Sequence, residues 1–393
     1  MPFTLIARRF DTAQPIRIAI DGRNIIEVVP ADVPDPDALS FVAPGLFDIQ
    51  VNGWGGTWFS QANLTPEDVA RVVAEFVPHG VTRLFPTLIT NSFESLKAGF
   101  EAIAAACERF PLVADMVAGC HLEGPYISAE DGPRGAHPKE HVRAADWNEF
   151  EALQRASGDR IRLVTLAPEV PGAIDFIRRA VAAGVVVSIG HTAAEPSDVA
   201  AAAEAGATLS THLGNGAHGT LRRHPNYIWE QLADDRLAAS IIADGHHLPA
   251  SVVRTVLRTK PAGRVILTCD ASGYAGCRPG LYHGESGEVE VLDDGRIVVA
   301  GQRQFLAGSG AATEECVAEI VRLGDVDLPE AIRMTTDYPE RLMGAERIRL
   351  EVGSRADLCL FHVKPDRRIE VVATVVAGEV RYKSTSLRAG TVV

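Results

Sequence analysis

Between residues 44 and 344, short apolar runs alternate with alanine-rich, helix-like stretches, and this alternation constrains the fold more than any other feature. The apolar runs are Val81 to Pro86, Val117 to Leu122, Ile161 to Leu166, Val185 to Ile189, Thr208 to Ser210, Ser240 to Ile242 and Val265 to Leu267. Helix-like segments such as Pro66 to Val77, Phe93 to Glu108, Ala173 to Ala183 and Pro196 to Glu204 separate several of them. Strand, helix, strand in repetition predicts parallel β-α-β units, which close into a barrel or open into a doubly wound sheet. No GxGxxG follows any of the strands. The polar residues decide for the barrel. Gln50, Asn52, Glu123, His191, His212, His246, His247 and Asp270 all fall at or just after the carboxyl ends of different strands, where barrel enzymes assemble their sites.

The two ends of the chain read differently. Residues 1–43 hold three β-like runs, broken at Asp21-Gly22 and by a loop rich in Pro and Asp from Pro30 to Pro36. Residues 345–393 repeat that character, with runs at Asp357 to Phe361, Ile369 to Val376 and Glu379 to Lys383 around a turn at Ala377-Gly378. Both ends therefore predict strands of one small β-sandwich, with the barrel of residues 44–344 inserted between its halves. A chain of 393 residues has room for both.

Composition narrows the function classes. No apolar run approaches the roughly 18 residues of a membrane span, so no membrane role is expected. The first nine residues lack the basic start, apolar run and small-residue cleavage site of a secretory signal, which predicts a cytoplasmic protein. A net charge of −13 argues against nucleic-acid binding but allows a small anionic ligand, which needs only one or two placed cations. The six cysteines are scattered with no CxxC pair, so they read as buried or free thiols rather than a zinc site. Cys120 and Cys269 each end an apolar run and read as core.

For a single strand-end histidine, a hydrogen-bonded structural role is the commoner outcome. Three polar segments in register with strand ends change that weighing. Glu123, His191 and His212, one carboxylate and two imidazoles from separate strands, make a three-ligand set for a divalent metal with a coordination position left open, as hydrolysis requires. Asp270 follows Ile266-Leu267-Thr268-Cys269. Such a carboxylate can take a proton from attacking water and hand it to a leaving nitrogen, though a turn aspartate or helix cap would read similarly in isolation.

Several segments carry a resemblance. Pro44-Gly45-Leu46-Phe47-Asp48-Ile49-Gln50-Val51-Asn52-Gly53, the HLEGPYIS stretch from His121 to Ser128, Gly135-Ala136-His137-Pro138, Gly190-His191-Thr192, Thr211-His212-Leu213, Ala243-Asp244-Gly245-His246-His247 and Thr268-Cys269-Asp270-Ala271 are involved. In order along nearly the whole chain they resemble the N-acetylglucosamine-6-phosphate deacetylases of the amidohydrolase superfamily. The resemblance implies an α/β fold, a (β/α)8 TIM barrel with a small β-sandwich from both chain ends, and a homodimer. It implies hydrolysis of the N-acetyl group of an amino sugar phosphate to glucosamine 6-phosphate and acetate.

Where many amidohydrolases carry His-x-His and two metals, this chain has Gln50-x-Asn52. Amides are poor ligands beside imidazole, so one ion per subunit is expected, and the resemblance implies zinc first, with iron or another divalent ion as alternatives. The resemblance further implies that His137 polarises the acetyl carbonyl beside Asp270, the catalytic acid/base. Ala136, Asn215, Gly216 and Leu306-Ala307-Gly308 would contact the sugar, and Arg223 and His247 its phosphate. The chain departs from the family pattern from Gly216 to Asn226, where Arg222 rivals Arg223 and His246 stands beside His247. That departure keeps open an amidohydrolase for another N-acyl compound: a galactosamine phosphate, an unphosphorylated amino sugar or an N-acyl amino acid.

Overall fold

A computed structural model describes residues 2–284 and 287–386. Eight parallel strands form the central sheet: β1 (Leu46–Val51), β2 (Val81–Ile89), β3 (Cys120–Glu123), β4 (Ile161–Leu166), β5 (Val186–Ile189), β6 (Leu209–Ser210), β7 (Ala238–Ile241) and β8 (Val265–Leu267). They neighbour one another in chain order. A parallel bridge between Val51 and Ala271 brings the first strand to the chain just past the last. The expected β3 starts three residues late: the helix Pro111–Met116 occupies the approach, with Pro111 in its first turn, and Val117 makes only one bridge to Leu84.

The seam between β1 and β8 is stitched by a buried carboxylate. Asp48 accepts hydrogen bonds from the Thr268 hydroxyl (2.5 Å), the Cys269 N–H (2.8 Å), the Thr313 hydroxyl (2.8 Å) and the Gln50 N–H (3.0 Å). The Thr268 hydroxyl also reaches the Gln50 carbonyl at 3.2 Å. The two ends of the barrel sequence are thereby held together immediately before Asp270.

Helices between the strands bury one stripe each. Pro66–Glu75 begins at a Thr65–Asp68 capping box, with Pro66 where its missing N–H costs nothing, and buries Val69, Val72 and Val73. Asp146 and Asn226 cap the helices Trp147–Ala156 and Tyr227–Ala233 more simply, each side chain accepting from two N–H groups of the first turn. The chain ends meet in a separate seven-stranded sheet, where Phe41–Pro44 runs parallel to Phe3–Arg9 and antiparallel to Leu358–Val363. Its strands bury a second small core that includes Leu5, Ile18, Val42, Leu360 and Val372. A further four-stranded antiparallel sheet, Gly280–Gly284, Gly287–Val291, Ile297–Val299 and Gln302–Leu306, is inserted after β8.

Candidate metal centre and catalytic cavity

The carboxyl ends of the strands open into a cavity of about 840 Å³. Glu123 ends β3, while His191 and His212 lie two residues past β5 and β6. His191 (φ 51°), His212 (φ 29°) and Asp270 (φ 50°) all adopt left-handed backbone conformations, which side chains with a Cβ rarely take. Such strain is tolerated only where surrounding bonds over-determine it. At His212 the bonds are visible: its N–H donates to the Ser240 hydroxyl at 2.8 Å, and the following Leu213 N–H to the Ser240 carbonyl at 2.9 Å.

Nε2 of His191 lies 3.2 Å from Glu123 Oε1, Nε2 of His212 lies 3.0 Å from the same oxygen, and the two Nε2 atoms are 3.0 Å apart. One ligand atom from each of the three buried residues falls within 4.8 Å of the others. His191 Nδ1 donates to the Pro133 carbonyl at 2.8 Å, so its Nε2 offers a lone pair. His212 Nδ1 is buried with no hydrogen-bond partner. Two imidazole nitrogens and a carboxylate oxygen converging in a buried space suit a divalent cation, because a shared positive charge relieves their mutual repulsion. Burial alone would raise the Glu123 carboxyl, but His191 and His212 hold it well below the ordinary carboxylate range.

Gln50 takes no place among these ligand atoms. Its Nε2 donates to Glu123 Oε1 at 2.9 Å, orienting the carboxylate as a donor. Asn52 acts likewise on Asp270, donating from Nδ2 to Oδ1 at 2.6 Å. Burial, with the nearby charge of Glu123, pushes Asp270 up to about 7. His137 faces His191 with ring centroids 4.2 Å apart, and its Nδ1 lies 2.7 Å from the Thr90 hydroxyl. Burial, with His191 close beside it, holds its pKa well below the usual histidine value, which keeps the ring neutral.

Ala136, His137, Asn215, Gly216, His247, Leu306, Ala307 and Gly308 line the same cavity as Glu123, His191, His212 and Asp270. Arg223 does not: it is exposed, like Arg222, and neither is among the described residues lining the cavity of this chain. The physical reason is the cap on the following helix. Asn226 accepts from the N–H groups of Ile228 and Trp229 while its amide holds the Arg222 carbonyl at 2.9 Å, fixing the loop in a turn at the surface.

Several supporting residues escape a reading of motifs alone. Asp244 accepts His247 Nδ1 at 2.7 Å and the N–H groups of His246 and His247 at 2.9 Å each, so the second ring nitrogen of His247 remains for a ligand. The Asp-Gly-His-His order was the available signal. Glu169 accepts from the Thr192 hydroxyl and the Ala193 N–H, both at 2.6 Å, bracing the turn after His191. Arg296, in the inserted sheet, also lines the cavity.

A parallel barrel with a buried carboxylate and imidazole cluster, and a second carboxylate across the same cavity, is a metal-dependent hydrolase in its architecture. The chain belongs to the amidohydrolase family, whose family model matches residues 41–381. It is 34% identical to the N-acetylglucosamine-6-phosphate deacetylase of Bos taurus over 88% of this chain and 85% of that protein. It is 32% identical to the N-acetylgalactosamine-6-phosphate deacetylase of Escherichia coli O157:H7 over 95% of each. Among solved structures, it is similar to N-acetyl-D-glucosamine-6-phosphate deacetylase from Mycobacterium smegmatis, an alanine variant in complex with N-acetyl-D-glucosamine-6-phosphate. That match has a TM-score of 0.85 at 30% identity and covers 97% of this chain and 99% of the other. The Pasteurella multocida N-acetylglucosamine-6-phosphate deacetylase matches with a TM-score of 0.85 at 26% identity, covering 98% and 100%.

Proposed function

We propose that this protein hydrolyses the N-acetyl group of N-acetylglucosamine 6-phosphate, giving glucosamine 6-phosphate and acetate. The observation that carries the reading is Asp270 lining the same cavity as the Glu123, His191 and His212 cluster, with Asn52 holding one of its oxygens. Glu123, His191 and His212 would hold one divalent ion, zinc first, with iron or another divalent ion as alternatives. Bound there, it would supply Lewis acidity and bring the pKa of water down towards about 7. Asp270 accepts the proton of the attacking water as the C–O bond forms. It returns that proton to the amine nitrogen as the C–N bond breaks, so the carboxyl fragment leaves as acetate. A Thr90 hydroxyl donating to His137 Nδ1 leaves Nε2–H as a donor towards the acetyl oxygen. Ala136, Asn215, Gly216 and the Leu306 to Gly308 segment shape the sugar site, and His247, oriented by Asp244, faces the phosphate end.

The E. coli galactosamine relative, matched over 95% of each chain, favours one second reading, the C4 epimer as substrate. The reading also takes the protein as cytoplasmic, supported by six unpaired cysteines, and as a homodimer, as the family resemblance implies. The test is acetate release by metal-loaded protein from N-acetylglucosamine 6-phosphate, N-acetylgalactosamine 6-phosphate and unphosphorylated N-acetylglucosamine. The highest kcat/KM on the first supports the proposal. Preference for the second shifts the substrate to the epimer, and no release from any of the three refutes both readings.

A further inference from the structure

Beneath the metal cluster the barrel interior is polar, where branched apolar side chains usually fill such a layer. His121, Thr165, Ser188 and Thr211, on or next to the adjoining strands β3 to β6, are all buried. His121 Nε2 lies 2.7 Å from the Thr165 hydroxyl, which lies 2.7 Å from the Thr211 hydroxyl, and that in turn lies 2.5 Å from the Ser188 hydroxyl. Resting on the reading of Glu123, His191 and His212 as metal ligands, we infer that this hydrogen-bonded chain positions them, with Thr165 at its hub. It thereby sets the affinity and the coordination geometry of the ion.

Each ligand is tied to the layer through its own neighbour in sequence. His121 stands two residues before Glu123 on β3, so both side chains share the inward face. Thr165 pairs with Glu123 across the β3–β4 ladder and with Ser188 across the β4–β5 ladder. Thr211 directly precedes His212, whose left-handed backbone (φ 29°) persists only if its flanks are held. The Thr211 N–H donates to the Ile189 carbonyl at 2.8 Å, and its hydroxyl is held by Thr165 and Ser188. Gly190 directly precedes His191, and a Cβ there would lie 2.8 Å from Thr165 Cγ2 and 2.9 Å from Thr211 Cβ. The His191 turn is thus seated against the same two threonines.

Stability does not account for these groups. Replacing hydrogen-bonded partners by apolar groups of the same shape is close to neutral. A hydrogen bond does fix distance and direction, which apolar contact leaves loose. Each hydroxyl has a single proton to give, so a gap at Thr165 leaves His121 and Thr211 each one partner short.

The test uses cobalt(II), whose visible absorption reports ligand geometry, in wild type, Thr165→Val and Thr165→Ser. Valine keeps the methyl that seats Gly190 and removes only the hydroxyl, whereas serine keeps the hydroxyl. Chelator competition should show cobalt and zinc affinity lowered about ten- to a hundredfold in Thr165→Val, the range for a group supporting metal ligands. Its cobalt band should also shift, while Thr165→Ser should bind within about threefold of wild type and keep the wild-type band. Wild-type affinity and band in Thr165→Val would overturn the inference, and so would a serine variant as impaired as the valine one. If Thr165→Val fails to fold, Ser188→Ala removes the hydroxyl at the end of the chain, and the same two measurements decide in the same way. Wild type that takes up neither cobalt nor zinc would instead sink the metal reading itself.

Discussion

Asp48→Asn tests whether the barrel seam holds the catalytic end in place. The carboxylate accepts four hydrogen bonds, two on each oxygen, and each oxygen receives one backbone N–H: Gln50 on Oδ1 and Cys269 on Oδ2. An asparagine has a single acceptor oxygen. Whichever way the amide turns, its NH2 faces one of those backbone N–H groups, whereas the threonine hydroxyls can rotate and adapt. One buried N–H left unsatisfied costs about 1–3 kcal/mol, and the bonds that survive lose their charge assistance, so the total is about 3 kcal/mol. The thermal unfolding midpoint should fall by about 4 °C. Because Thr268 and Cys269 lead directly into Asp270, kcat should also fall, by up to about a hundredfold for a shift near 1 Å. Thr313→Val, which removes one hydroxyl donor, should cost about 1 kcal/mol and leave kcat nearly intact. Differential scanning calorimetry beside steady-state kinetics measures both quantities. An Asp48→Asn protein that melts within 1 °C of wild type and keeps its kcat would refute the reasoning.

Three other perturbations probe the site. Asp270→Asn should lower kcat about a thousandfold while elemental analysis finds the metal still bound; more than a tenth of wild-type turnover would remove Asp270 from proton transfer. Gly216→Ala forces a Cβ into a left-handed turn (φ +56°) and to 2.8 Å from His191 Nδ1, which Pro133 already engages. Metal affinity, measured by chelator competition, should drop at least about tenfold, and unchanged affinity would show that the ring yields freely. Burial would raise Asp244, but the bond from His247 and the two N–H groups bring it down to about 2 from 3.8. A depressed carboxylate stabilises above its unfolded pKa and loses that contribution as the pH falls through its folded value. About 2 kcal/mol should separate wild type from Asp244→Asn above pH 4, and the gap should close towards pH 2. A pH-independent gap in urea midpoints would assign the loss to packing.

The legible part of the fold follows from local pattern. Strands β4 to β8 lie within about two residues of their apolar runs, because a buried parallel strand must be apolar along its length. Glu123, His191 and His212 were readable because each ends such a run, and they converge in one cluster. The supporting carboxylates were not. Asp48 meets its partners 220 residues away at Thr268 and 265 residues away at Thr313, and no local rule links those positions. The left-handed backbone at His191, His212 and Asp270 runs against intrinsic preference, so tertiary bonds set it. The inserted sheet was also missed, and with it Arg296, since its strands are short and its turns polar. Arg223 kept its sequence distance from Asn215 but lies on an exposed turn, which spacing alone cannot reveal.

The central claim is a one-metal amide hydrolase built on Glu123, His191 and His212. The most direct measurement removes metal with a chelator, restores zinc in fractional steps, and follows bound zinc and acetate release from N-acetylglucosamine 6-phosphate in the same samples. The account predicts negligible release without metal, a linear rise, and a break at one ion per chain. Full activity in the metal-free protein, or a break at two ions per chain, would contradict it.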